Sequence, residues 1–134
     1  MAKDQHMTEE KIAQPTDAEL EILRVLWERG PSTVREVHEV ISRTKPAGYT
    51  TVLKLLQIMT EKGLVRRNEE QRAHVYEPRL AKEQTQRQLL GDLLERAFGG
   101  SAAELVMQAL STKKASPDEL ASIRQILNEL EEGK

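Results

Sequence analysis

Between residues 64 and 78 the spacing of apolar residues changes from helical to alternating, and on both sides of that window it is helical. Leu64-Val65-Arg66-Arg67 and His74-Val75-Tyr76-Glu77-Pro78 read as two short strands. The polar run Asn68-Glu69-Glu70-Gln71-Arg72-Ala73 between them reads as a hairpin tip. The expected fold class is therefore mainly α with a small β-hairpin.

Three helices precede the hairpin. Thr16-Asp17-Ala18-Glu19 has capping-box spacing, in which a Thr hydroxyl and a Glu carboxylate satisfy free backbone N–H groups. Leu20, Leu23, Leu26 and Trp27 then form an apolar face, and Gly30-Pro31 ends the helix. The pair Thr33 and Glu36 repeats the capping box ahead of Val34, Val37 and Ile41, and the turn-forming Lys45-Pro46-Ala47-Gly48 closes that helix. A third helix is expected over 50–62, with Val52, Leu55, Leu56 and Met59 facing inward and Gly63 just past its end. Trp27 and Tyr49 read as packing residues.

With 3% aromatic residues the core must be built from Leu, Val, Ile and Ala. The formal net charge of −2 excludes a general nucleic-acid coat but not a localised basic face. Over 15–79 there are 11 Lys and Arg against 10 Asp and Glu; over 80–134 there are 7 against 9. The sign of that asymmetry favours the first part for contact with DNA. There is no cysteine, so disulfides and thiolate metal sites are excluded. No apolar run approaches the roughly 18–20 residues that span a bilayer, and the first residues lack a signal-peptide core. No membrane insertion and a cytoplasmic location are expected. Residues 1–14 read as a polar tail, with Met7 as the suggested natural start.

Helix, helix, helix, hairpin is the order of a winged helix-turn-helix. The major groove admits one α-helix, so a reading helix must be packed on one side and polar on the other. The third helix meets that demand, with Thr50, Thr51, Lys54 and Gln57 outward. Thr hydroxyls suit phosphate oxygens, and Gln can bond a base edge. The hairpin adds Arg66, Arg67, Arg72 and His74 for backbone or minor-groove contact. Each feature alone is ordinary, since surface helices carry Thr and Lys and edge strands carry Arg; their order is what points to double-stranded DNA.

Beyond residue 79 all is helical. Leu89, Leu90, Leu93, Leu94 and Phe98 stripe a helix that Gly99-Gly100 breaks. Ser101-Ala102-Ala103-Glu104 and Ser116-Pro117-Asp118-Glu119 open two more. Leu120, Ile123, Leu127 and Leu130 step by 3, 4 and 3, as in a helix–helix seam. A winged helix closes its own core, so these stripes need another cover, and a two-fold dimer supplies one. Leu90, Leu94, Leu105, Leu120, Ile123, Leu127 and Leu130 are the expected dimerisation residues. The expected organisation is a tail over 1–14, a winged-helix DNA-binding domain over 15–79 and a helical dimerisation domain over 80–134.

Several stretches together resemble the penicillinase and methicillin-resistance repressor family. They are Pro15-Thr16-Asp17-Ala18-Glu19-Leu20-Glu21-Ile22-Leu23 with Leu26-Trp27, then Tyr49-Thr50-Thr51-Val52 and Lys62-Gly63-Leu64-Val65. Val75-Tyr76 with Pro78, and Glu119-Leu120 to Arg124-Gln125-Ile126-Leu127, extend the resemblance over roughly 15–130. It implies a homodimeric repressor on a palindromic operator of antibiotic-resistance genes, relieved through a membrane sensor-protease that leads to cleavage in the dimerisation lobe. The family cleaves an Asn-Phe bond in a segment matching Leu105-Val106-Met107-Gln108-Ala109-Leu110; this chain has Gln108-Ala109 there, which keeps the amide and loses the aromatic ring. The cysteine metal motif of copper-responsive relatives is absent. No cofactor is expected.

Two other regulatory readings compete: a winged helix used for protein contact, and a ligand-sensing regulator. An enzyme is disfavoured. His6, His38 and His74 fall in a tail, a helix and a wing, without the HExxH spacing of a metal site.

Overall fold

The structure is a computed structural model that describes residues 13–133. The expected tail, including the suggested start at Met7, lies almost wholly outside the described residues. The elements run α1 (Asp17–Arg29), β1 (Ser32–Thr33), α2 (Val34–Ser42), α3 (Tyr49–Lys62), β2 (Val65–Asn68), β3 (Val75–Pro78), α4 (Lys82–Phe98), α5 (Ala102–Thr112) and α6 (Pro117–Glu132). The chain divides into two compact units, one ending at Leu89 and one starting at Leu90.

The first unit is a winged helix. Its first two helices begin as the capping boxes require. The Glu19 N–H donates to Thr16 Oγ1 at 3.2 Å, and the Thr16 N–H donates to Glu19 Oε1 at 2.9 Å. Thr33 and Glu36 repeat both bonds at 3.2 and 2.9 Å. Each such cap contributes about 1 kcal/mol by satisfying an otherwise orphaned donor. Ile22, Leu23 and Leu26 from α1, Val37 and Ile41 from α2, and Val52, Leu56 and Met59 from α3 meet in one core, closed beneath by Leu64, Val65 and Tyr76. Full burial of one such side chain stabilises by roughly 1.5–3 kcal/mol. Gly63 leaves α3 with φ +84, a left-handed conformation that turns the chain into β2.

The sheet has three strands where the sequence predicts two. Ser32 and Thr33 pair antiparallel with Tyr76 and Val75, giving the order β1-β3-β2. The added strand is only two residues long, too short to show a period. The hairpin itself is in register with Val65 opposite Pro78, Arg66 opposite Glu77 and Arg67 opposite Tyr76.

The first unit also runs beyond the division expected at 79/80. The Trp27 indole N–H donates to the Leu80 carbonyl at 3.3 Å, and Thr85 is buried, so the opening turns of α4 belong to this unit. Trp27 packs against the core as expected. Tyr49 does not: it is 48% exposed.

The second unit comprises the rest of α4 with α5 and α6. Gly99 and Gly100 both have positive φ, and the Gly100 N–H donates to the Leu94 carbonyl at 2.9 Å, which ends α4 in a left-handed glycine turn. Ser101 caps α5, and Ser116 with Glu119 caps α6 in a full capping box. No described side chain of α5 or α6 is buried.

Candidate nucleic-acid interface

Helix α3 presents two faces of opposite chemistry. Val52, Leu56 and Met59 are buried, and Thr50, Thr51, Lys54 and Gln57 are all exposed on the opposite side. Ionic and polar contacts with distant elements fix both ends of the helix. At its C-terminus, Lys62 Nζ donates to the buried Glu19 carboxylate at 2.8 and 3.0 Å. Burial pushes the Glu19 carboxyl up. Its bonds to Lys62 and to Thr16 outweigh that and hold it below its ordinary value of 4.5. At the other end, the His38 ring nitrogen Nε2 lies 2.7 Å from the Ala47 carbonyl oxygen, and the His38 ring meets Tyr49 edge-on with centroids 5.7 Å apart. The turn before α3 is thereby tied to α2, which fixes the angle at which the polar face emerges.

The four basic wing residues separate into two groups. Arg66 and Arg67 sit on β2 with carboxylates beside them. Arg66 Nε is 3.6 Å from Glu77, its cross-strand partner, and Arg67 Nε donates to Glu69 at 2.7 Å. The Tyr76 phenol and the Glu69 carboxylate together raise the Arg67 pKa above its ordinary range. Arg72 and His74 lie on the other side of the wing tip, at a cleft of about 510 Å³. Thr33 and Arg35 from the start of α2 and Tyr49 from the start of α3 line that same cleft, over a floor that includes Tyr76. Sequence reasoning passed over Arg35. On its own it is an ordinary solvated cation in a helix, and only the fold brings it to the wing.

In the second unit the expected dimerisation residues remain at the surface. Leu90, Leu120, Leu127 and Leu130 are exposed, while Leu94, Leu105 and Ile123 are half-buried. Leu93, Val106, Met107, Leu110 and Ile126, which the seam pattern did not select, are exposed beside them. Gln108 and Ala109 lie inside α5, both exposed. The Gln108 carbonyl oxygen accepts from the Thr112 hydroxyl at 2.7 Å and from the Ser111 hydroxyl at 3.3 Å. Among the described residues no group of His, Asp and Glu could hold a metal ion, and no helix is long and apolar enough to cross a membrane.

Comparison with known proteins settles the wider class. The sequence matches the penicillinase repressor family over residues 15–129. The chain belongs to the penicillinase repressor family. The transcriptional regulator BlaI of Mycobacterium tuberculosis is 32% identical over 124 residues, which is 92% of this chain and 89% of that protein. The penicillinase repressor of Bacillus licheniformis is 29% identical over 119 residues, 89% of this chain and 93% of its own length. A solution structure of monomeric Bacillus licheniformis BlaI with the blaP half-operator aligns with 55% of this chain and 89% of that one, at 32% identity and a TM-score of 0.48. Membership makes this penicillinase repressor relative a DNA-binding transcriptional repressor and not an enzyme. The family resemblance read from Pro15 onward, Tyr49-Thr50-Thr51-Val52 included, is borne out over nearly the same span.

Proposed function

We propose that the protein represses transcription as a homodimer on a palindromic operator, reading the major groove with α3. The observation that carries this reading is the two-faced α3. Its buried stripe fixes it in the core, and Thr50, Thr51, Lys54 and Gln57 form an exposed polar face of the kind that meets base edges and phosphates. The wing supplies backbone contact alongside, through basic residues among Arg66, Arg67, Arg72 and His74. Dimerisation runs through the second unit, which keeps the division of labour read as 15–79 and 80–134 but with its boundary at 89/90. What supports it is the exposed leucine and valine surface of α4, α5 and α6, which a symmetric partner would cover.

If a membrane sensor-protease relieves repression by cutting Gln108–Ala109, α5 must first unwind. A protease needs an extended substrate, and here the scissile carbonyl is held by two side-chain hydroxyls in addition to its helix.

The test is fluorescence anisotropy with duplex from upstream of the protein's own gene against a scrambled competitor, with Lys54→Ala and Thr51→Ala beside the wild type. Selective binding that weakens about tenfold in the variants, at unchanged circular dichroism, is expected, each good base contact contributing about 1–3 kcal/mol. Equal binding by wild type and both variants would refute α3 as the reading helix. Ile123→Asp and Leu127→Asp, measured by sedimentation, should give monomers that bind the duplex weakly; a stable dimer in both would move the interface elsewhere.

A further inference from the structure

We infer that the wing meets the DNA backbone through Arg72 and His74 and not through Arg66 and Arg67, and that Arg35 of α2 faces the same strand from the opposite wall of the cleft. The inference rests on the reading of α3 as the groove-reading helix, and it assigns a contact to a residue that no pattern in the sequence singles out.

Local charge separates the two sides of the wing. Arg66, Arg67, Glu69 and Glu77 border one depression together, and the two carboxylates cancel the two guanidinium charges. A phosphate approaching there meets a neutral group and must displace existing partners. The cleft on the other side has Arg35 and Arg72 in its walls and no acidic residue among those that line it. Both arginines are exposed, and neither is ion-paired within the described residues. The nearest acid along α2 is already committed. Glu36 accepts from the Thr33 N–H at 2.9 Å and lies 3.3 Å from Arg29, and Glu39, one turn on, forms no ion pair with Arg35 and does not line the cleft.

The shape of the cleft fits a strand of nucleic acid. Its floor is apolar, with Val34, Leu53 and Tyr76, and its rim is cationic. A sugar–phosphate chain has the matching pair of surfaces, an apolar sugar edge and an anionic phosphate. Tyr49, held edge-on by His38, stands half-exposed at the rim with a hydroxyl to offer. The starts of α2 and α3 both contribute residues to the cleft, and the positive ends of their helix dipoles add to the attraction for phosphate. The exposed polar face of α3 begins at Thr50, directly after Tyr49, so a strand bound in the cleft would run beside a groove occupied by that face.

Counterion release provides the measurement. Each phosphate neutralised on duplex DNA contributes about 0.9 to the slope of log affinity against log salt. Anisotropy titrations with the labelled upstream duplex between 50 and 200 mM salt should show Arg35→Ala and Arg72→Ala each flattening the slope by about one unit. Between those two salt concentrations the affinity deficit of each variant should shrink about three- to fourfold. Arg35→Lys should keep the wild-type slope, because it keeps the charge. Arg66→Ala should also keep it. A wild-type slope in Arg35→Ala would overturn the inference. So would a loss in Arg66→Ala as large as that in Arg35→Ala. If the wild type shows no salt-dependent binding to the duplex, the DNA reading itself fails and takes this inference with it. All three positions are exposed, and unchanged thermal melts confirm that the readout is contact and not folding.

Discussion

Leu56 and Leu127 each sit on the apolar stripe of a long helix. Leu56 is wholly buried, and Leu127 is 55% exposed. The same contrast holds across the two units. In the first, α1, α2, α3 and the sheet cover one another's apolar faces. In the second, α5 and α6 carry comparable stripes and bury none of them. A stripe at helical spacing therefore specifies that a face must be covered, but not that the cover comes from the same chain. The first unit covers its own apolar faces, and the second leaves those of α5 and α6 exposed.

The largest effect expected from this contrast is in the cores. Leu56→Ala should cost the first unit about 2–5 kcal/mol, whatever the protein concentration, because a fully buried side chain leaves a cavity. Leu127→Ala should leave melting of the first unit untouched and lower only a transition that depends on concentration. Thermal melts at two concentrations a hundredfold apart distinguish these. A concentration-independent loss in Leu127→Ala would erase the distinction between the units.

A smaller effect concerns the ion pair inside the first unit, for which the second has no buried counterpart among the described residues. Lys62→Met strands the Glu19 carboxylate and should cost roughly 1–3 kcal/mol, less than for a fully buried pair because Lys62 is about a third exposed. The folded protein holds the Glu19 carboxyl below 4.5, so on acidification the unfolded chain takes up the proton first. The stabilisation is fully present above that value and is lost as pH falls through the lower folded one. Urea unfolding from pH 7 down to 3 should therefore show a shallower acid loss in Glu19→Gln than in the wild type.

The smallest effect compares helix caps. Thr16→Ala and Ser116→Ala each remove a capping-box hydroxyl and should cost about 1 kcal/mol. The first should appear in unfolding of the winged helix, and the second, if the proposed dimer forms through α6, only in a transition that depends on concentration. Equal shifts in the same transition would mean that the two units unfold together.

The local part of this structure was legible in the sequence. Thr16 with Glu19, Thr33 with Glu36, and Ser116 with Glu119 mark helix starts within a single turn, and Gly63 and Gly99-Gly100 mark ends. These signals act over four residues or fewer, so a sequence carries them intact. The face of α3 was legible too, since alternation of Val52, Leu56 and Met59 with Thr51, Lys54 and Gln57 needs only the helical period. What escaped depends on distant pairing. Ser32 and Thr33 become a strand only because Tyr76 and Val75 lie beside them. Glu19 reads as a cap, and its bond to Lys62 spans 43 residues. Arg35 and Arg72 look alike and unrelated until the fold brings them to one cleft, while Arg66 and Arg67 look free until Glu77 and Glu69 are seen beside them.

The chain contains one tryptophan. Its indole N–H is bound to the Leu80 carbonyl, where the winged helix passes into α4. Every photon of tryptophan emission therefore comes from that junction, free of background from any other indole. A red shift without loss of helical circular dichroism would mean that water has reached the indole while the helices stand. The protein thus carries its own optical gauge of whether the start of α4 is docked, readable in unlabelled wild-type material with operator added or withheld.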